Sequence, residues 1–342
     1  MVVQDIAYVE LFTRDKRSTL DHLVTAMGFT PVADSVEVDR SSMLLRQGDV
    51  RIIVTSGRGI WGFLDAHGDG IADIALTCDD VESTRDAALL AGTEPAASLR
   101  GSTVVSGFGN VVHTLIPAAG ASADRLPPDR TWIPSFGMRR PQGRIRSLDH
   151  IAVCLAGGTL TEYADLYRDG FGFSRFSAEY VAVGGQAMDS IVVRSATGGT
   201  TFTLVGPDPS KEPGQLDAFL ERNGGPGVQH LAFLVDDIIP AVQEFRNRGV
   251  HFLTTPDTYY DLLGERLDGL NGLDDMVGQL RDAQVLADRD EWGHLLQLFS
   301  RSPYERNTLF FELIQRQGSR GFGSSNIRAL YEAVERERLT TR

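Results

Sequence analysis

The sequence contains only two cysteines, Cys78 and Cys154, and both lie in apolar runs typical of strands. Two such cysteines build no disulfide framework, so the sequence favours a reducing, cytoplasmic location. No apolar run approaches the roughly 20 residues that a membrane-spanning helix needs, and we expect no membrane partner. A strand pattern begins at Val2, so we also expect no signal peptide.

Negative charge exceeds positive charge, because 46 Asp and Glu residues outnumber 33 Lys and Arg residues and give a formal net charge of −13; lysine itself occurs only at positions 16 and 211. Nucleic acids attract basic surfaces, so we expect no nucleic-acid partner. The remaining composition, 42% hydrophobic and 23% charged, is typical of globular proteins, and 342 residues suggest about two domains. A homodimer or a higher oligomer is compatible with this composition.

A repeat relates the two halves of the chain. The segment 68–92 matches the segment 225–249 without a gap, at an offset of 157 residues. In each copy an Asp pair follows, and then a helix-like run that ends at a glycine. Self-similarity at a fixed offset indicates duplicated architecture. His230 in one copy stands where the other copy has Asp73, so we expect one working site and one structural relic.

The predicted elements follow the same order in both halves, in outline a paired βαβββ arrangement. We therefore predict an α+β fold with two tandem domains, an N-terminal one over residues 1–117 and a C-terminal one over residues 147–342. The segment 118–146 is rich in proline, glycine and serine, which is typical of a linker.

Two predicted helices of the second half adjoin glycines. One runs from Leu160 to Asp169 and ends at Gly170, because glycine is common just past the C-terminus of a helix. The other covers Asn326–Glu337 and follows Gly321–Gly323, which we interpret as the hinge of a lid.

Three residues of the second half are candidate metal ligands: His150, His230 and Glu312. Each lies centrally in a strand of otherwise apolar residues, where a carboxylate is costly unless it is paired or binds a metal. Two imidazoles and one carboxylate form the ligand set of non-haem Fe(II) oxygenases. The corresponding positions of the first half hold Tyr8, Asp73 and Thr114, so both imidazoles and the glutamate are replaced there. For His113, beside one of these positions, we expect a structural role.

Four motifs surround the candidate ligands: Leu148–Ala152, Gly227–His230, Leu295–Phe299 and Leu309–Arg316. Together with Gly321–Gly323 and Asn326, they resemble the 4-hydroxyphenylpyruvate dioxygenase family of the vicinal oxygen chelate fold. The resemblance implies two tandem vicinal-oxygen-chelate half-barrel domains, open β-barrels with outer helices and a C-terminal lid helix. It also implies a 2-oxo acid dioxygenase with Fe(II) as cofactor and 4-hydroxyphenylpyruvate and O2 as substrates.

The same resemblance implies a substrate pocket of nine residues. Polar contacts would come from Ser190, Gln215 and Gln297, and aromatic walls from Phe299 and Phe311. Contacts from the lid would come from Asn326 and Ile327. The last two residues, Thr203 and Val205, stand where the family usually has a Pro-x-Asn pattern.

Two products are open within the family, homogentisate from attack on the ring and 4-hydroxymandelate from attack on the benzylic carbon. Thr203-Leu204-Val205 replaces Pro-x-Asn, and Ile327 replaces a lid phenylalanine, which resembles the members that form 4-hydroxymandelate. A smaller lid side chain leaves the substrate ring room to turn, and a shift of about 1 Å can change a rate about 100-fold. We therefore predict 4-hydroxymandelate, with homogentisate as the alternative. The resemblance also implies that the product supplies antibiotic biosynthesis.

Other classes share this fold. A metal-free binding protein would not need the three ligands, and a glyoxalase-type isomerase usually has a fourth ligand that is not evident here. A ring-cleaving extradiol dioxygenase has the same ligand set, but the strand around Gln297 and the Gly-Phe-Gly motif favour the oxo-acid group.

Overall fold

The structure, a computed structural model, describes residues 3–97, 101–118, 125–128, 130–135, 143–266, 273–323, 325, 326 and 328. These residues form two eight-stranded mixed sheets with helices around them, which confirms the α+β class. Ile327 and most of the predicted helix Asn326–Glu337 lie outside the described residues. None of the described helices is long and apolar enough to cross a membrane.

The first sheet is built from the first half of the chain. Its strands are β1 (Val3–Phe12), β2 (Thr30–Val36), β3 (Ser41–Gln47), β4 (Val50–Ser56), β5 (Gly70–Cys78), β6 (Thr103–Ser106), β7 (Val112–Pro117) and β8 (Ile133–Pro134). Its helices are α1 (Lys16–Leu20), which continues as a π-helix over Asp21–Ala26, α2 (Trp61–His67), entered through a 3-10 turn at Arg58–Ile60, and α3 (Val81–Leu90).

The second sheet is built from the second half of the chain. Its strands are β9 (Ile145–Cys154), β10 (Ser174–Val183), β11 (Gln186–Arg194), β12 (Thr201–Pro207), β13 (Gly227–Val235), β14 (Leu286–Arg289), β15 (His294–Phe299) and β16 (Phe310–Gln317). Its helices are α4 (Leu160–Phe171), α5 (Gln215–Asn223), α6 (Ile238–Asn247), α7 (Asp257–Arg266) and α8 (Leu273–Ala283).

The two sheets have corresponding strand orders. The first runs β6-β7-β5-β1-β4-β3-β2-β8, and the second, read from its far edge, runs β14-β15-β16-β13-β9-β12-β11-β10. In the first sheet β1 is antiparallel to β5 and parallel to β4, and in the second β9 is antiparallel to β13 and parallel to β12. The repeat is therefore a repeat of three-dimensional structure, as the sequence predicts.

Alternation along each strand divides the side chains between two faces. One face of both sheets, with residues such as Ile151 and Val153 of β9, joins a single core shared with the helices. The opposite, inner face of β9 carries His150, Ala152 and Cys154. This parity decides which side chains can reach a site inside each half-barrel.

The repeat helix α3 has the predicted ends, because Asp80 accepts a hydrogen bond from Ser83 N and Gly92 follows the last turn with φ 108°. Helix α4 differs from its prediction. It continues through Gly170 to Phe171 and is capped by Gly172 at φ 75°. A Cβ on Gly170 would lie 3.0 Å from Ala88 Cα, so this glycine allows α4 to pack closely on α3.

Part of the predicted linker fills the inner face of the first sheet. The Arg130 guanidinium donates to both oxygens of Glu10, at 2.9 and 2.8 Å, and to Ser42 Oγ at 2.8 Å. The side chains of Arg130 and Glu10 are only 2% and 6% exposed. Trp132 packs on the apolar cluster that includes Tyr8 of the same face. The interior of the first half is therefore occupied by the chain's own side chains.

His113 joins the two halves through the shared core. Its imidazole, 0% exposed, donates from Nδ1 to Ile74 O at 3.0 Å and accepts at Nε2 from Tyr167 OH, 2.8 Å away on α4. Phe171 and Phe202 pack around the ring. The geometry agrees with the structural role that we expected.

We expect this histidine to make stability depend on pH. Burial lowers the pKa of His113 to about 4, although the hydrogen bond to Ile74 O opposes the shift. As the pH falls from about 6.5 to 4, the unfolded chain takes up a proton that the folded chain refuses. The free energy of unfolding should therefore fall by on the order of 3 kcal/mol across this window. Urea unfolding at pH 7 and pH 4.5 measures it. His113→Leu should unfold more easily at pH 7 but lose less on acidification, and equal losses in both proteins would contradict the assignment.

Candidate functional site

The three candidate ligands converge on the inner face of the second sheet. His150 lies on β9, His230 on β13 and Glu312 on β16, three strands that are neighbours in the sheet. Ala232 of the central strand stands opposite both His150 and Glu312 in the register, and His230 lies two residues away on the same face. We call His150, His230 and Glu312 the ligand triad.

The distances within the ligand triad fit a metal site. His150 Nε2 and His230 Nε2 are 3.3 Å apart, and they lie 3.4 and 3.2 Å from Glu312 Oε2. Ligand atoms about 2.1 Å from a metal are about 3 Å apart when they occupy adjacent octahedral positions. The three distances lie between this value and the roughly 3.4 Å that separates two ligands of a tetrahedral site, so the three atoms are close enough to bind one metal ion from the same side. The donor set, two nitrogens and one oxygen, suits Fe(II).

Burial favours the neutral state of the His230 imidazole, which is the state that a metal needs. Glu312 is 1% exposed, and burial lowers the pKa of His230 below its ordinary value, with only partial compensation by the Glu312 carboxylate. A neutral imidazole offers a free lone pair, whereas a protonated one does not. The buried carboxylate has the two imidazoles and the Gln297 amide as its partners.

His150 is oriented by a carboxylate behind it. Its Nδ1 donates to Asp149 Oδ1 at 2.9 Å, which turns Nε2 toward the other ligands. Burial alone would raise the pKa of Asp149, but Arg316, with two hydrogen bonds at 2.7 and 2.8 Å, and His150 hold it well below its usual range. Such outer partners fix the tautomer and direction of a ligating histidine.

The Gly321–Gly323 segment closes one side of the site. Arg316 donates to Gly321 O at 2.7 Å, and Asp290 Oδ2 accepts from the backbone N–H groups of Arg320 and Gly321 at 2.7 and 2.8 Å. The Phe322 ring meets the His150 ring edge-on, with centroids 5.2 Å apart. Gly323 has φ 76°, and a Cβ there would overlap the Gln297 amide oxygen, so only glycine fits.

Sequence reasoning assigned no role to Asp149, Asp290 or Arg316. Asp149 and Arg316 stand inside the quoted motifs, next to His150 and four residues after Glu312, so their positions were a usable signal. Asp290 lies in a loop without such a signal.

Three of the predicted substrate residues lie beside the ligand triad. Gln297 Nε2 donates to Glu312 Oε1 at 3.1 Å, and Asn326 Nδ2 donates to Gln297 Oε1 at 3.0 Å. The Phe299 ring lies 6.0 Å from that of His230. Thr203 stands opposite Ala152, beside this group, and its buried hydroxyl has no hydrogen-bond partner among the described residues.

The predicted aromatic wall at Phe311 is wrong by one position. Phe311 lies on the opposite face of β16 from Glu312, where it stacks on Phe233 at 5.7 Å in the shared core. Its neighbour Phe310 lies on the inner face and stacks on His230 with centroids 5.0 Å apart. Adjacent residues of a strand point to opposite faces, so the residue beside a ligand cannot share its face.

The other predicted substrate residues lie along the strands or outside the described part of the chain. Ser190 Oγ donates to Glu179 O at 3.3 Å, and Val205 packs with Leu216 in a small apolar cluster. Gln215, the exposed first residue of α5, borders a cavity of about 30 Å³ that the ligand triad does not line. Ile327 is not among the described residues.

The corresponding slots of the first sheet also converge, but on protein groups. Thr114 Oγ1 donates to Asp73 Oδ2 at 2.6 Å, and Tyr8 OH lies 3.4 Å from the same oxygen. Thr114 N donates to Asp73 Oδ1 at 3.0 Å. The duplicated geometry is retained while hydrogen bonds take the place of metal ligands.

Both halves of the chain match known families. Residues 1–116 match the family described as hydroxyphenylpyruvate dioxygenase, HPPD, N-terminal, and residues 147–298 match the Glyoxalase/Bleomycin resistance protein/Dioxygenase superfamily. The 4-hydroxyphenylpyruvate dioxygenase of Neurospora crassa is 33% identical over 80% of this chain and 71% of its own length. That of Coccidioides posadasii is 29% identical over 96% of this chain and 92% of its own.

A solved structure is similar over nearly the whole chain. A triple mutant of 4-hydroxymandelate synthase from Streptomyces coelicolor superposes with a TM-score of 0.86, at 49% identity over 98% of this chain and 99% of that one. The resemblance read from the motifs is thereby confirmed. The chain belongs to the 4-hydroxyphenylpyruvate dioxygenase family and is a dioxygenase.

Proposed function

We propose that this enzyme converts 4-hydroxyphenylpyruvate and O2 into 4-hydroxymandelate and CO2 with Fe(II) held by the ligand triad. The observation that carries the proposal is the convergence of His150, His230 and Glu312, in a chain that is 49% identical to a mutant of 4-hydroxymandelate synthase over 98% of its length. The original carboxylate leaves as CO2, and the keto carbon becomes the carboxylate of the product. One oxygen atom of O2 enters this new carboxylate, and the other becomes the hydroxyl on the benzylic carbon.

The metal would supply oxygen activation and a site for chelating the 2-oxo acid. His150, His230 and Glu312 would hold the metal, and three protein ligands would leave room on it for the 2-oxo acid and for O2. The chain's own part is to fix the ligands. Asp149 holds the His150 tautomer, and Gln297 holds one oxygen of Glu312, so the open positions keep one direction.

Aromatic side chains beside the ligands would place the substrate ring. Phe299 and Phe310 both lie against His230, and Phe322 lies against His150. Flat apolar walls on either side of the open positions suit a phenyl ring and exclude water from the reacting carbon. The unpaired Thr203 hydroxyl offers a hydrogen bond that a polar group of the substrate would satisfy.

The proposal is tested by identifying the product. Purified enzyme with 4-hydroxyphenylpyruvate, Fe(II) and air should form 4-hydroxymandelate, which liquid chromatography and mass spectrometry identify. A metal chelator should stop the reaction. Ile327→Phe restores the larger residue of the ring-hydroxylating members and should raise the homogentisate fraction. Homogentisate as the main product of the unaltered enzyme would refute the proposal in favour of the activity that names the fungal relatives.

A further inference from the structure

Four buried side chains form a continuous hydrogen-bonded chain that ends on a ligand carboxylate. Gln297 Nε2 donates to Glu312 Oε1 at 3.1 Å, and Asn326 Nδ2 donates to Gln297 Oε1 at 3.0 Å. Tyr259 OH donates to Asn326 Oδ1 at 2.7 Å and accepts from Ala287 N at 2.9 Å. Each of the four side chains is at most 1% exposed. Water therefore does not compete for these bonds.

The direction of donation along these hydrogen bonds is set where Tyr259 meets the backbone of Ala287. The side-chain amides of Asn and Gln can point either way, so their orientation follows from partners of fixed polarity. Ala287 N can only donate, which leaves the single proton of Tyr259 OH for an acceptor. Its contact with Asn326 Oδ1, at 2.7 Å, is shorter than that with Ala287 O, at 3.0 Å. With Oδ1 so engaged, Asn326 Nδ2 faces Gln297 Oε1, and the Gln297 amide must present its N–H to Glu312.

We infer that Tyr259 is a positioning residue for the ligand Glu312, acting through Asn326 and Gln297. Because Gln297 occupies Oε1 of the carboxylate, Oε2 is the oxygen that faces the two imidazoles at 3.2 and 3.4 Å. Loss of the tyrosine hydroxyl removes one of the contacts that orient the Asn326 amide, so this amide, and with it that of Gln297, can flip more readily. A flipped Gln297 places its oxygen against Glu312 Oε1, and repulsion between the two oxygens turns the carboxylate away from the imidazoles.

The inference rests on the metal site proposed above and is tested with Co(II), a spectroscopic probe, titrated into the metal-free full chain. Tyr259→Phe removes one hydroxyl and should weaken Co(II) binding about tenfold, the size expected for an outer partner of a ligand. It should also shift the visible Co(II) absorption bands. The matched control is Tyr260→Phe, which removes the hydroxyl of the adjacent buried tyrosine. This hydroxyl is not part of the hydrogen-bonded chain, so Co(II) affinity should stay within about twofold of that of the unaltered protein.

A double-mutant cycle separates positioning from packing. In a Gln297→Leu background, Tyr259→Phe should change Co(II) affinity no further, because the link through which it acts is absent. Asn326→Leu breaks the chain at the next link and should reproduce the loss even if Tyr259→Phe folds poorly.

Three results would overturn the inference: unchanged affinity in Tyr259→Phe, an equal loss in Tyr260→Phe, or additive losses in the cycle. A wild-type chain that binds no Co(II) would instead overturn the ligand triad, and the inference with it. The two failures are therefore distinguishable.

Discussion

Replacing His230 with alanine is expected to lower the rate of product formation by more than about 100-fold and to remove stoichiometric iron from the purified enzyme. Loss of an outer partner of a ligand costs about 10–100-fold, and loss of the ligand itself should exceed that range. His230 Nε2 lies 3.3 Å from His150 Nε2 and 3.2 Å from Glu312 Oε2, so its removal would leave only two of the three candidate ligands in the site. Product assays and iron analysis on the same preparation measure both effects.

The matched control for this prediction is His251→Ala, which removes an exposed imidazole from the same half of the chain. It should retain activity and iron content close to those of the unaltered enzyme. Full iron content in the His230 variant would mean that the metal is held elsewhere, and the assignment of the ligand triad would fail.

The second large effect concerns stability. Replacing Arg130 with methionine should lower the free energy of unfolding by about 3–5 kcal/mol, because it leaves the Glu10 carboxylate buried without its cation. The pair is 2% and 6% exposed, with N–O distances of 2.8 and 2.9 Å. Denaturant unfolding monitored by circular dichroism measures the loss. The double replacement Glu10→Leu with Arg130→Met should recover most of it, since two apolar side chains of similar volume leave no charge unpaired.

An exposed ion pair provides the comparison. Arg85 and Glu82 are 36% and 69% exposed, so Arg85→Met should lower the free energy of unfolding far less than Arg130→Met does. If Arg130→Met costs no more than Arg85→Met, the buried pair does not hold the first half together. If the double replacement is as unstable as Arg130→Met alone, the loss comes from packing rather than from the unpaired carboxylate.

The convergence of the three candidate ligands could be predicted from the sequence because the repeat supplied an internal comparison. His150, His230 and Glu312 each had a counterpart without metal chemistry, at Tyr8, Asp73 and Thr114 on the corresponding strands. Buried ionisable residues in apolar strands are informative for the same reason, since burial without a partner is costly. The order of elements along the chain followed from periodicity, and the ends of helix α3 followed from the Asp and Gly at its ends.

The remaining details depend on contacts distant in sequence. Gly170 reads as a helix end, but it lies within α4 because Ala88 of another helix needs the space. Arg130 belongs to a segment with the composition of a linker, and its partner Glu10 is far away along the chain. The error at Phe311 differs, because strand alternation alone would have placed Phe310 beside the site.

The alternation of faces has a consequence for how such a duplicated enzyme can change. Adjacent residues on a strand point either into the core that both halves share or into the interior of one half-barrel. The residues of that interior can therefore be replaced without disturbing the shared core. The first half illustrates this independence, since the interior of its half-barrel holds the ion pair of Arg130 with Glu10 and the Trp132 side chain, while its sheet keeps the strand order of the second half. The interior of the first half-barrel is accordingly a second place in the same molecule where a new catalytic site could be engineered.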